Sequence, residues 1–326
     1  MEYPEWRGCE LKFGIISQDE KIRSWLKIQV ELSGGLISDD PDVIIIFGSD
    51  RDFLEALHGI KNKLVLPVGN FGPSFFSEIG TEEVRQAIKK ITSGDYILEE
   101  AMRLNVEVDG NLMPPALNEV AVFPSKSAVP MEYVLEVDGD EIFRDYSDGV
   151  IIATPTGSTA YSMSAGGPIV IKNADVMLIV PVNSIDPSRR PIVAPGGSLI
   201  TIKDIGSRYE CEAVVDGIER VKVKSDVKVR KGDSIKIIRF ERKILSRGKI
   251  ARKKKVTEEI LKLPPSAKLI LKVIEYEGPL SRKEIVERTL LPERTVRYAI
   301  SQLLRRGLIS RSMDPRNPRQ QIYARR

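Results

Sequence analysis

The sequence predicts an α/β region, then a β-rich region, then a small helical domain, and three observations predict it. Near the start, a helix-length segment lies between two apolar strands, the second being the β-branched run Val43-Ile44-Ile45-Ile46-Phe47. From Tyr96 onward short apolar runs alternate with turns, and Asp109-Gly110 and Asp138-Gly139 each follow one as a hairpin signal. Beyond Leu263-Pro264-Pro265 the apolar positions recur at helical spacing.

Taken in order, Leu11–Ile16 reads as a first strand, Asp19–Leu32 as a helix and Val43–Phe47 as a fully buried strand. That strand empties into Gly48-Ser49-Asp50-Arg51-Asp52 and opens into Phe53-Leu54-Glu55-Ala56-Leu57. A turn with two carboxylates therefore stands at the carboxyl end of a strand, where open α/β sheets bind ligands. In the β-rich region, strands are expected at 104–108, 121–123, 133–137, 176–180, 200–202, 212–215, 221–223 and 234–238. Asp216-Gly217 reads most simply as a tight turn.

One stretch of this region stands apart. Val150-Ile151-Ile152 is a β-branched strand that runs into Ala153-Thr154-Pro155-Thr156-Gly157-Ser158-Thr159-Ala160, three threonines and a serine around one proline and one glycine. Hydroxyls and backbone N–H groups here are expected to meet a ligand's polar edge, with the flat face and phenolic tip of Tyr161 beside them. On composition alone such a cluster is more often just a turn.

The last segment reads as three helices and a hairpin. Ser266 is placed to cap Ala267–Tyr276, whose Leu269, Ile270, Val273 and Ile274 share a face. Ser281-x-x-Glu284 is a capping box for a short second helix, and Glu293–Arg306, ended by Gly307, forms a third. Its Val296, Ala299, Ile300, Leu303 and Leu304 face inward, which leaves Arg294, Thr295, Arg297, Tyr298 and Ser301 outside, cationic and hydroxyl groups suited to phosphates and base edges. Strand residues 308–311 and 321–323 flank a turn carrying Arg316 and Arg319.

Composition narrows the classes. The chain has 326 residues, 42% hydrophobic and 29% charged, ordinary values for a folded protein of two or three domains. No apolar run reaches membrane-spanning length and the first residues have no signal-peptide pattern, so a cytoplasmic protein is expected. With two cysteines and one histidine, His58, neither a His/Cys metal cluster nor histidine-based acid–base catalysis is expected. The net charge of +4 hides a division: residues 242–326 hold 23 Lys/Arg against 8 Asp/Glu, leaving an acidic body before them. A tail at +15 points to nucleic acid or another anionic partner, or to a solvated face kept for solubility.

TPTGSTAY followed by SAGGP resembles the signature of the NAD kinase family, which phosphorylates the adenosine ribose 2′-hydroxyl of NAD to give NADP. Other landmarks fall in the family's order: Asp50 in a shortened GGDG-like loop, Asn118-Glu119, Asp148-Gly149 and Asp216-Gly217. The resemblance covers roughly residues 10 to 250 and implies an NAD kinase-like two-domain fold, with an α/β domain over 1–94 and a β-rich NAD-binding domain over 95–250 whose last segment returns to the first. It implies Asp50 as the catalytic carboxylate, with Gly48, Ser49 and Arg51 in the phosphate loop. Asn118, Glu119, Thr156, Thr159, Ala160, Tyr161 and Ser164 would hold NAD, Asp148 would reach a ligand across a subunit boundary, and Asn183 and Asp216 are lesser candidates. Magnesium with ATP, or polyphosphate, is the implied donor, and a homo-oligomer is implied.

The sequence also departs from the family. Ser49 and Arg51 stand where it has glycines, Leu66–Pro73 only loosely echoes its next loop, and Asn183 stands where a histidine is usual. The last segment, a basic linker at 251–263 and then 264–326, resembles the winged helix of small transcription regulators, which implies DNA as a partner. Two functions follow, an NAD kinase with an appended DNA-binding module, or a kinase-derived sensor of NAD, NADP or ATP that regulates transcription without turnover.

Overall fold

Parallel pairing of buried, β-branched strands builds the first part of the chain. Strand β1 (Lys12–Ile16) leads to helix α1 (Glu20–Glu31), whose first turn is capped by the Asp19 carboxylate accepting from Lys21 N at 2.9 Å. Strands β2 (Leu36–Ile37) and β3 (Val43–Gly48), helix α2 (Asp50–Leu57), strand β4 (Leu64–Gly69) and helix α3 (Val84–Thr92) follow, with β2, β1, β3 and β4 adjacent and parallel. The structure, a computed structural model, describes residues 11–69, 74–77, 79–126, 129–241, 263–277, 279–314 and 317–325. The chain divides into two compact units, Met1–Leu245 and Ser246–Arg326.

From β5 (Ile97–Val108) onward the first unit is almost all strand: β6 (Asn111–Leu112), β7 (Glu119–Pro124), β8 (Met131–Val137), β9 (Asp140–Ser147) and β10 (Gly149–Ala153). A four-residue helix α4 (Tyr161–Ser164) interrupts before β11 (Val176–Val182), β12 (Ile192–Pro195), β13 (Ile200–Ser207), β14 (Cys211–Val215), β15 (Glu219–Val223) and β16 (Val227–Arg239). The turns are the expected ones. Asp109-Gly110, Asp138-Gly139 and Asp216-Gly217 all have positive φ at both residues, between 49° and 91°, conformations that Asp tolerates and Gly adopts freely.

Two sheets result. Ten strands form the first, in the order β2-β1-β3-β4-β16-β13-β8-β9 with β5 against β16, so that it passes through the boundary expected at residue 94. Strand β16 pairs parallel to β4 and antiparallel to β5 and β13. The second sheet is β12-β11-β10-β7-β14-β15. Side chains of β5, β8, β13 and β16 pack against those of β7, β10, β11 and β14 in one core. Strand β10 is buried along its whole length because Ala165 and Val170, just beyond the threonine-rich turn, cover its other face.

The second unit runs α5 (Pro265–Glu277), β17 (Leu280–Ser281), α6 (Arg282–Thr289), α7 (Glu293–Arg305), β18 (Ile309–Asp314) and β19 (Asn317–Arg325), with the three strands ordered β17-β19-β18. Two sequence expectations need correction. Helix α5 begins at Pro265, whose fixed φ suits a first helical position, so Ser266 lies inside the helix and is not its cap. Its buried face is Ala267, Ile270, Leu271 and Ile274, while Leu269 is 42% exposed. The Ser281–Glu284 capping box is present, with Ser281 N donating to Glu284 Oε2 at 2.8 Å. Of the basic linker at 251–263, only Leu263 is described, and it packs into this unit's core.

Candidate active site

Three strand ends meet at one edge of the six-stranded sheet. Glu119, which opens β7, pairs with Ala153 at the end of β10, and Val120 pairs with Val215 at the end of β14. Register thus places Asn118-Glu119, the ATPTGST turn and Asp216 side by side, although Asn118 and Asp216 are 98 positions apart.

Within the turn, Thr154 N donates to Asn118 O at 2.9 Å and Thr154 Oγ1 to Leu117 O at 2.6 Å, while Gly157 N donates to Thr154 Oγ1 at 3.0 Å. Ser158 Oγ donates to Pro155 O at 2.7 Å and accepts from Val170 N at 3.0 Å. Thr154 and Ser158 have no exposed surface. The expectation that all the turn's hydroxyls face a ligand is therefore corrected: these two are internal braces, because buried hydroxyls need partners and the tight turn supplies them. Thr156, Thr159 and Ala160 are half-buried, Ser164 is exposed, and Tyr161 is 38% exposed with its ring 5.8 Å from that of Phe123. Gly157 lies directly on the Asn118 backbone, since a Cβ there would stand 2.0 Å from Asn118 O.

Asp216 does more than form a turn. Its carboxylate accepts from three successive amides, Leu117 N at 2.8 Å, Asn118 N at 2.7 Å and Glu119 N at 3.2 Å, and His58 Nε2 stands 3.5 Å from Oδ2. Asn118 and Glu119 are themselves buried. The sequence shows an Asp-Gly pair and nothing of where its carboxylate reaches, so this clamp was not legible there.

Asp50 opens α2. Ser49 caps the helix and Asp52 completes the capping box by accepting from Ser49 N at 2.7 Å, which explains why a serine is accommodated where the family has glycine. Gly48 stays small because a Cβ would meet the Asp52 carboxylate at 2.6 Å. Arg51 is exposed. The Asp50 carboxylate accepts from Ser74 Oγ at 2.6 Å, Phe75 N at 2.8 Å and Phe76 N at 3.1 Å, holding the segment that follows β4. Of that echoed loop, residues 70–73 lie outside the described residues.

A second tether holds the same segment, since the buried Arg239 donates to Phe76 O and, through Nε, to Glu99 at 3.0 Å, and Lys172 reaches Glu99 at 2.6 Å. Burial alone would raise the Glu99 carboxyl, but the charges of Arg239 and Lys172 outweigh it and hold the group below its ordinary 4.5. A lowered carboxylate stabilises the fold above its unfolded-state value and loses that contribution as pH falls through the folded-state value. Glu99→Gln is therefore expected to cost about 3 kcal/mol at pH 7 by stranding Arg239, and progressively less below pH 4.5. Thermal unfolding at neutral and acidic pH tests this, and an equal loss at both would remove the ion pair as its cause.

Asp148 lies elsewhere. It precedes β10 while Thr154 follows it, six positions of extended chain or about 20 Å apart. Its carboxylate accepts from Asn183 Nδ2 at 2.8 Å, so two of the sequence candidates pair with each other at the far end of the strand. In the second unit Arg294, Arg297, Tyr298 and Ser301 are exposed on α7, whereas Thr295 is half-buried, because it flanks the buried Val296 and Ala299 and does not project with the arginines. Arg316 and the side chain of Arg319 lie outside the described residues.

A family model described as the ATP-NAD kinase C-terminal domain matches residues 117–240, from the Asp216-clamped segment through β16. The NAD kinase of Methanopyrus kandleri is 36% identical over 205 residues, which cover 61% of this chain and 73% of that protein. The chain belongs to the NAD kinase family. The NAD kinase of Thermococcus kodakarensis is 35% identical over 63% of this chain and 76% of its own. In fold, this family member is similar to an NAD kinase from Archaeoglobus fulgidus in complex with ATP, with a TM-score of 0.64 at 21% identity, covering 74% of this chain and 98% of that one. A yeast NADH kinase complexed with NADH gives 0.66 at 21% identity, covering 74% and 87%. Among the described residues no helix is long and apolar enough to cross a membrane.

Proposed function

We propose that the chain transfers the γ-phosphoryl group of ATP to the adenosine ribose 2′-hydroxyl of NAD, giving NADP and ADP. The observation that supports this most is the meeting of Asn118-Glu119 with the TPTGST turn at one sheet edge, locked by the Gly157–Asn118 contact and the Asp216 clamp. Asn118 and Glu119 offer an amide and a carboxylate to a ribose or nucleobase, and Thr156, Thr159, Ala160, Tyr161 and Ser164 continue along the same turn, with the Tyr161 ring against Phe123. Asp50 accepts the 2′-hydroxyl proton as the ribose oxygen attacks phosphorus and ADP leaves; three donors on its carboxylate leave lone-pair capacity for that proton. Arg51, exposed one residue on, is placed to neutralise phosphate charge.

Among the described residues no group of three His, Cys, Asp or Glu side chains could hold a metal, and Asp50 and Asp52 are both engaged by donors. That donor set fits magnesium carried in on the triphosphate oxygens and water, where it neutralises charge in the transfer. The Asp148–Asn183 pair, remote from Thr154, is suited to a second subunit's ligand in a homo-oligomer.

NADP formation from NAD with ATP and magnesium, with polyphosphate as a second donor, tests the activity. No turnover with NAD still bound would make the chain a nucleotide sensor instead.

For the second unit we propose a winged helix that binds duplex DNA. Support comes from its α-β-α-α-β-β order, the exposed Arg294, Arg297, Tyr298 and Ser301 on α7, and the tail's excess of positive charge. Replacing both Arg294 and Arg297 by Ala is expected to weaken binding of a mixed-sequence duplex about tenfold or more and to reduce the salt slope by about 2. A duplex affinity that ignores both changes would assign this helix to a protein contact.

A further inference from the structure

We propose that Asp216 and His58 form a positioning pair that fixes the Asn118-Glu119 segment against α2, an inference that rests on reading that segment as the dinucleotide site. Three successive amides, 117 to 119, aim at one carboxylate, and Asp216 N in turn donates to Glu119 O at 2.9 Å. Asp216 has the left-handed backbone of its Asp-Gly turn, φ 51°, which Asp tolerates and from which its carboxylate reaches those amides. The imidazole completes the arrangement from the other half of the unit. Its side chain is 9% exposed, and its Nε2 has no hydrogen bond within the described residues, standing 3.5 Å from the carboxylate it faces.

His58 is also the C-terminal cap residue of α2, the helix that Asp50 opens. Eight helical residues span about 12 Å, so the helix, the imidazole and the Asp216 carboxylate join the proposed phosphoryl-transfer carboxylate to the proposed ribose-binding residues. A carboxylate acting only as a turn anchor would be served by the amides alone. The imidazole sets the distance between the two halves, and so the register of the ribose relative to Asp50. Neither residue touches substrate in this scheme.

The test compares His58→Leu, His58→Gln and Asp216→Asn in the full chain, reading amide hydrogen exchange at 117–119 and the KM values for NAD and ATP. His58→Leu is expected to raise the NAD KM about fivefold or more, leave the ATP KM within about twofold, and speed exchange at 117–119. His58→Gln, which keeps a polar side chain of similar reach facing the Asp216 carboxylate, restores both, and Asp216→Asn gives the largest increase in exchange. Unchanged exchange in His58→Leu, or equal changes in both KM values, overturns the pair. Should the wild-type protein neither bind nor turn over NAD, the functional reading fails by itself, and exchange at 117–119 alone decides whether the pair holds the segment.

Discussion

The Asp50→Asn variant is expected to form NADP about 10²- to 10⁴-fold more slowly than the wild-type protein at saturating NAD and ATP, the range for loss of a positioned general base. Asn keeps one acceptor for the amides of Phe75 and Phe76, which the carboxylate holds at 2.8 and 3.1 Å, but it has no basic oxygen for the ribose proton. Asp50 also organises the 74–76 segment, so a loss of rate has two causes to be told apart, the missing base and a displaced loop. Ser74→Ala separates the two. It removes the 2.6 Å hydroxyl donor while leaving the carboxylate in place, and is expected to cost less than about tenfold in kcat. Turnover by Asp50→Asn within about threefold of wild type would remove the base from the mechanism.

Gly157→Ala carries the second large effect. The added Cβ would stand 2.0, 2.5 and 2.8 Å from O, C and Cα of Asn118, and these are backbone atoms that cannot swing aside. Either the threonine-rich turn lifts off or the start of β7 moves, and both are braced, the first by Thr154 and the second by Asp216. The expected result is a stability loss of about 3 kcal/mol and NAD affinity lowered about 100-fold or more, because a displacement near 1 Å is enough to misplace a bound group. Calorimetric titration and thermal unfolding measure both. Wild-type NAD affinity in this variant would mean that the turn and Asn118 do not share a ligand.

Most strands, the Asp-Gly turns and the threonine-rich turn were legible in the sequence because each depends on local residue types, but β9 and β12 were not, and Leu66–Gly69, read as part of a loop, is the buried end of β4. Thr154 and Ser158 mark where that reading stops. A hydroxyl in such a turn faces a ligand or braces the chain according to what lies across from it, and for Thr154 that is Leu117, 37 positions away. The reach of the Asp216 carboxylate and the place of His58 beside it are hidden for the same reason, their partners lying in other strands and helices. The departures at Ser49 and Arg51 could be seen but not judged, since the tolerance for Ser49 comes from a capping box with Asp52 that only the helix start defines. In the tail, helical spacing gave the three helices, but it put Leu269 on the inner face of the first and left Thr295 on the outer face of the third, where the structure has Leu269 exposed and Thr295 half-buried.

Strand β16 lies between β4 and β13 and carries Arg239 at its end, so the ten-stranded sheet has a gap until nearly the last residues of the first unit are made. Strand β4 pairs with it across more than 170 positions, a contact of high sequence separation that folds slowly. On the ribosome the α/β part must wait, its edge open, for a partner that emerges only after the whole of the second sheet. The sheet is thus closed by the last strand of the unit, and that same strand delivers the guanidinium that tethers the segment held by Asp50.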